Sequence, residues 1–155
     1  MALPVVILGL ASARYYTGRS LGCTEWIEIT QERIDRFARA TGDAGWIHCE
    51  PERAARESPW KAPIAQGYLL LSLAPGLLPR LLVLRGWSRA INTAVEDCSF
   101  PGAAPVGSRV RMHGTFARAR TLPGGGLRLS CRVEFEVEGA DEPACRALVH
   151  YVYFP

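Results

Sequence analysis

The stretch that most limits what this chain can become is Tyr68-Leu69-Leu70-Leu71-Ser72-Leu73-Ala74, which follows Gly67 and is apolar on almost every side. A helix lying on a surface gathers its apolar residues into one stripe, so an apolar cylinder predicts a helix enclosed by the rest of the fold. The run continues past Pro75 and Gly76 to Leu77, Leu78, Leu81 and Leu82, and that pair predicts a kink or an end at 75–76. The enclosing layer is legible downstream. From Leu127 the positions Leu127, Leu129, Cys131, Val133, Phe135 and Val137 alternate with Arg128, Ser130, Arg132, Glu134, Glu136 and Glu138, the period of a strand with one dry face and one wet one. Residues 90–100, 108–120 and 144–154 read as further strands, and Pro123 to Gly126 as a hairpin loop. One buried helix followed by a meander of long strands predicts an α+β fold in which an antiparallel sheet curls around the helix.

Upstream, residues 24–29 alternate well enough for a short strand. Thr30 can cap a helix whose Ile34, Phe37, Ala38 and Thr41 follow the i, i+3, i+4, i+7 rule, and Gly42 ends it. Residues 43–50 read as a loop, Pro51 as the first turn of a short helix to about Glu57, and Pro59 and Pro63 as barriers to regular structure up to Ile64. With 155 residues, 48% of them hydrophobic and 21% charged, the chain suits a single domain, 1–155, in which 1–20 is an N-terminal extension of unassigned structure.

Composition removes several functions. Eighteen basic against 15 acidic side chains leave a net charge of only +3, too even a balance for nucleic acid or an anionic membrane. Residues 3–10 are apolar and Ala11-Ser12-Ala13 has the small residues of a signal-peptidase site, yet no Lys or Arg precedes the run. It is also too short to span a bilayer, which takes about 20 residues. Five cysteines, Cys23, Cys49, Cys98, Cys131 and Cys145, form no CxxC pair and read as free thiols, which points to the cytoplasm. No Cys or His joins His48 and Cys49 at zinc-ligand spacing, so no metal site is expected. Gly124-Gly125-Gly126 neither follows a strand nor opens a helix, and no Gly-x-Ser-x-Gly nucleophile elbow occurs.

What remains is Thr41-Gly42-Asp43-Ala44-Gly45-Trp46-Ile47-His48, with Pro63-Ile64-Ala65-Gln66-Gly67 further on. These residues resemble the signature of the MaoC-like family: a Gly-Asp pair, a His five positions after the Asp, and later a Pro-Ile-x-His-Gly element. Asp43, His48, Pro63, Ile64 and Gly67 match, and the resemblance extends over roughly 20–155. Within the family the sequence is most similar to the NodN-like subgroup, in Trp46-Ile47-His48, in Ile91-Asn92, and in Phe100-Pro101 followed by Val106-Gly107-Ser108. The resemblance implies a hotdog fold and reversible addition of water to a trans-2-enoyl thioester, giving an (R)-3-hydroxyacyl thioester. Coenzyme A or an acyl carrier protein would then carry the substrate, with no cofactor beyond it. It also implies a homodimer that completes the acyl tunnel.

Hydration of an enoyl thioester needs a base to take a proton from water and an acid to protonate the α-carbon. Asp43 and His48 on one bending loop can hold a single water between them and divide those duties; an extended strand would set them about 16 Å apart. The order in which they exchange protons is left open at this stage. If the buried helix begins at Gly67, its free first-turn N–H can meet the thioester oxygen where negative charge grows, as the resemblance implies; the other reading is that Gly67 only permits a tight entry into the helix. Trp46, Gln66 and Asn92 are candidate substrate-binding residues, and Arg85 or Arg89 candidates for the phosphates of the carrier. Two departures limit the transfer: Gln66 stands where the family has His and cannot titrate, and Gly45 stands where the family usually has the Asn of an Asn-Pro pair between its Asp and His. Two rival readings share the fold, an acyl-thioesterase and a non-catalytic acyl-binding or partner subunit.

Overall fold

The computed structural model describes residues 3–155. In chain order the elements are β1 (Val5–Leu8), α1 (Leu10–Ala13), β2 (Ser20–Cys23), β3 (Ile27–Glu28), α2 (Gln31–Thr41), α3 (Trp46–Cys49), α4 (Pro51–Glu57), α5 (Gly67–Leu77), β4 (Leu82–Arg85), β5 (Arg89–Ser99), β6 (Arg109–Thr121), β7 (Leu127–Val137) and β8 (Cys145–Phe154), with short 3-10 turns at Arg14–Tyr16, Leu78–Arg80 and Pro123–Gly125. Strands β2-β6-β7-β8-β5 form one antiparallel sheet in that order, and β3 pairs with β6. The alternation of β7 is realised: Leu127, Leu129, Cys131, Val133 and Phe135 have no exposure. Leu129, Cys131, Val133 and Phe135 pack in one core with Leu69, Leu70, Ala74 and Leu77 of α5, so the sheet covers the helix as expected. Among the described residues no helix is long and apolar enough to cross a membrane.

Local chemistry explains the helices. Thr30 caps α2 by accepting from the Arg33 N–H, and Gly42 closes it in the left-handed region at φ 81°, donating to the Ala38 carbonyl at 2.8 Å. Thr41, expected on the buried face, is exposed and turns its hydroxyl back to the Phe37 carbonyl. Pro51 occupies the first turn of α4. Pro75 neither breaks nor ends α5 early, because in the last turn the missing N–H costs only one bond.

Several expectations change. The strand expected over 24–29 shrinks to Ile27–Glu28 and a separate strand forms at Ser20–Cys23, since Thr24 leaves the ladder: its N–H donates to the Met112 carbonyl and its hydroxyl accepts from the Met112 N–H. The loop expected over 43–50 contains the one-turn helix α3. Leu82, the last residue of the apolar run, instead opens the strand Leu82–Arg85, which pairs in parallel with β1. The N-terminal segment, expected as an extension without assigned structure, places Ile7 and Ala13 in the core at 1% and 0% exposure. Finally, β5 is an edge strand exposed along its whole length.

Candidate active site

Two short segments meet at the start of α5. The 63–66 segment is pinned against the 104–106 loop, Ala65 N–H donating to the Ala104 carbonyl and Val106 N–H to the Pro63 carbonyl, both at 2.8 Å. The Asp43–His48 bend is then tied to it: Ile64 N–H donates to the Ile47 carbonyl at 3.1 Å and the Gln66 amide Nε2 to the Asp43 carbonyl at 3.2 Å. From α2, the Gln31 amide donates to the His48 carbonyl at 2.8 Å. The bend is therefore held from both ends by partners remote in sequence.

His48 Nδ1 lies 2.7 Å from the Ile64 carbonyl oxygen. A carbonyl only accepts, so Nδ1 carries the proton and Nε2 is left with its lone pair. Asp43 is exposed and His48 half-buried, and both reach the same side of Gly45. A Cβ on Gly45 would stand 3.6 Å from His48 Cδ2 and 4.0 Å from Asp43 Oδ1. Both side chains therefore border the side of Gly45 on which a Cβ would stand.

His48 and Gly67 share the wall of a cavity of about 380 Å³ with Trp60, Ile64, Tyr68 and Phe100. Gly67 is the first residue of α5, and its N–H is one of the donors a helix leaves free at that end. The glycine is required sterically as well. A Cβ there would fall 2.7–2.9 Å from the Phe100 ring, inside any allowed contact. Asp43 does not line this cavity. Gln66 is 1% exposed and acts from beneath through the Asp43 carbonyl, its own Oε1 having no partner among the described residues.

The other candidates go elsewhere. Trp46 packs its ring under the Arg53 guanidinium at 4.6 Å and does not line the cavity. Asn92 lines a different cavity, between α5 and the β5–β8 pair. Arg89 lies over the Phe154 ring and neither it nor Arg85 reaches the His48 cavity. Cys49, next to His48, has its thiol pushed up by burial and by the Asp35 and Asp43 carboxylates, the reverse of what a nucleophile needs. Phe100 and Trp60 join the site without having been singled out. Phe100 had a signal in the Phe100-Pro101 match, but nothing local to Trp60 indicates its place. Among the described residues no cluster of three or more His, Cys, Asp or Glu is arranged to hold a metal.

A MaoC like domain model matches residues 13–121. A 3-hydroxyacyl-thioester dehydratase Z of Mycobacterium tuberculosis is 40% identical over 137 residues, covering 87% of this chain and 90% of its own. Nodulation protein N of Rhizobium leguminosarum bv. viciae is 35% identical over 144 residues, 90% and 88% of the two chains. Among solved structures, an (R)-hydratase of A. caviae superposes with a TM-score of 0.67 at 24% identity over 90% of this chain and 96% of its own, a likeness of fold. With the model covering most of the sequence, both relatives spanning nearly their full lengths, and the helix-in-sheet architecture shared, this chain belongs to the MaoC-like dehydratase family and has its hotdog fold.

Proposed function

We propose that the protein catalyses reversible hydration of a trans-2-enoyl thioester to an (R)-3-hydroxyacyl thioester, with Asp43 and His48 holding the water and Gly67 the thioester oxygen. The observation that carries this is the His48 Nδ1 bond to Ile64, which leaves Nε2 as a proton acceptor on a ring that borders Gly45 together with Asp43 and shares a cavity wall with a free helix N–H. In the hydration direction, water donates one hydrogen bond to His48 Nε2 and the other to Asp43. As its oxygen bonds to C3, Nε2 takes the proton and the C2–C3 π electrons move into an enolate whose charge sits on the thioester oxygen. The Gly67 N–H meets that charge. The imidazolium, steadied by Asp43, returns the proton to C2, so one water adds across one double bond.

The carrier is coenzyme A or an acyl carrier protein, as substrate and not as cofactor, and the cytoplasm is the place where such thioesters are met. We further propose a homodimer formed along β5. All eleven of its residues are exposed on an unpaired edge, with Ile91 at 51% and Val95 at 40%, and such an edge is a template for another strand. The mass in solution, from light scattering, is expected to be twice that of the chain; a monomer mass removes this part of the proposal.

The test of the activity is a panel of trans-2-enoyl-CoA thioesters, followed by loss of the conjugated enoyl absorbance. A parallel thiol assay separates hydration from hydrolysis: free coenzyme A appearing in place of 3-hydroxyacyl product would make the protein a thioesterase. Gln66→Leu is expected to lower kcat by roughly 10- to 100-fold, because the strand of backbone carrying Asp43 loses its tether and small misplacements of reacting groups are costly. Its unfolding midpoint should stay within a few degrees of wild type, since the change also removes a buried oxygen that has no partner.

A further inference from the structure

Helix α3 is a single turn, and a turn that short does not hold itself in place. The carbonyls of its last residues have no partner within the helix. Pro51, three positions after His48, has no N–H to offer either. The His48 carbonyl is met from α2 instead, by Gln31 Nε2 at 2.8 Å. The same nitrogen donates to Asp35 Oδ1, one turn further along α2, also at 2.8 Å. Gln31 therefore stands between two groups that only accept, a carboxylate and a backbone carbonyl, and gives one amide hydrogen to each.

This arrangement decides which way the amide faces. An ionised Asp35 cannot donate, so the Gln31 NH2 group must turn to it, and the second hydrogen then points at His48. Turned over, the amide would set its oxygen against two acceptors. The opposite side of the amide bears the consequence: Gln31 Oε1 is buried and has no partner among the described residues. The Asp35 carboxylate is also within hydrogen-bonding reach of the thiol of Cys49, the residue after His48. Helix α2 thus grips the chain at His48 and at Cys49. Ile64 holds the imidazole by Nδ1, but a ring fixed at one atom can still pivot about that contact.

We propose that Gln31 and Asp35 are positioning residues for His48: the carboxylate fixes the amide, the amide fixes the His48 carbonyl, and the two fixed points, carbonyl and Nδ1, aim Nε2. The inference rests on the hydration reading above. It extends that reading to a pair on α2 that does not line the cavity of His48 and Gly67. Glutamine is demanded by the chemistry of its neighbours, since leucine donates nothing and an ionised glutamate only accepts. Displacement of a reacting group by a fraction of an ångström is enough to slow the step it takes part in.

The experiment compares wild type, Gln31→Leu, Asp35→Asn and the double variant in two readouts: hydration of trans-2-octenoyl-CoA, and solvent exchange of the His48 Nδ1–H followed by nitrogen NMR without substrate. Gln31→Leu is expected to lower kcat roughly tenfold with KM little changed, and to quicken Nδ1–H exchange by a similar factor, because the ring leaves Ile64 more often. Asp35→Asn should cost less, since its new NH2 group can meet Gln31 Oε1 and let the amide turn over. The double variant should be no worse than Gln31→Leu, because Asp35 acts through the amide. Wild-type Nδ1–H exchange in Gln31→Leu, a change confined to the unfolding midpoint, or losses that multiply in the double variant overturns the proposal. A wild type that does not hydrate the thioester removes the hydration reading, and the exchange rates still decide whether Gln31 and Asp35 hold His48.

Discussion

Asp43→Asn and His48→Ala are each expected to lower kcat for enoyl thioester hydration by roughly 100-fold or more, with far-ultraviolet circular dichroism unchanged. The asparagine keeps the size and hydrogen-bonding capacity of the aspartate, so it can still hold a water. What it loses is the charge that steadies the imidazolium, and the fall in kcat isolates that contribution. His48→Ala removes the proton acceptor itself. It also frees the Ile64 carbonyl, but Ile64 is only half-buried and water can replace the lost donor. Because the two side chains act on one water, the double variant should be little worse than either single one. Wild-type rates in either variant, or losses that multiply in the double variant, would show that the two do not form one unit.

The second large effect concerns stability. Phe116→Ala is expected to destabilise the fold by about 3–5 kcal/mol, a substantial share of the roughly 5–15 kcal/mol that holds a domain together. Phe116 on β6 has no exposure, and its ring stands 6.3 Å from that of Tyr16. The cavity left by alanine cannot collapse easily, since the sheet lies on one side and the N-terminal 3-10 turn is bound to β6 next to it: Gly18 N–H donates to the Phe116 carbonyl and Phe116 N–H to the Arg19 carbonyl. Chemical denaturation with an unchanged slope and a lower midpoint is the expected result. A loss under 1 kcal/mol would mean that the N-terminal segment is not packed on this ring.

That segment shows where reading along the chain stops. The alternation in β7, the Thr30 and Gly42 caps of α2 and the apolar run of α5 each record, inside one element, which face is dry and where the backbone must turn, and each was legible without coordinates. The Asp43 and His48 pair is proposed on the family resemblance and on its spacing within one bend, and the fold brings both to one side of Gly45. By contrast, the four residues of β1 look like any apolar run until Leu82–Arg85 is laid beside them, about eighty positions later.

The same division holds at the site. Residue order and type determined that an acid, an imidazole and a helix-opening glycine were present. Only the folded chain decided that Ile64 takes the Nδ1 proton of His48, that Phe100 lies on Gly67, that Trp46 turns away to Arg53, and that Asn92 and Tyr151 face one chamber. The physical reason is the range of the forces involved. Periodicity and capping reflect interactions a few residues apart, whereas these contacts join segments whose meeting is set by how the whole core packs, and packing leaves no local mark on the residues it brings together.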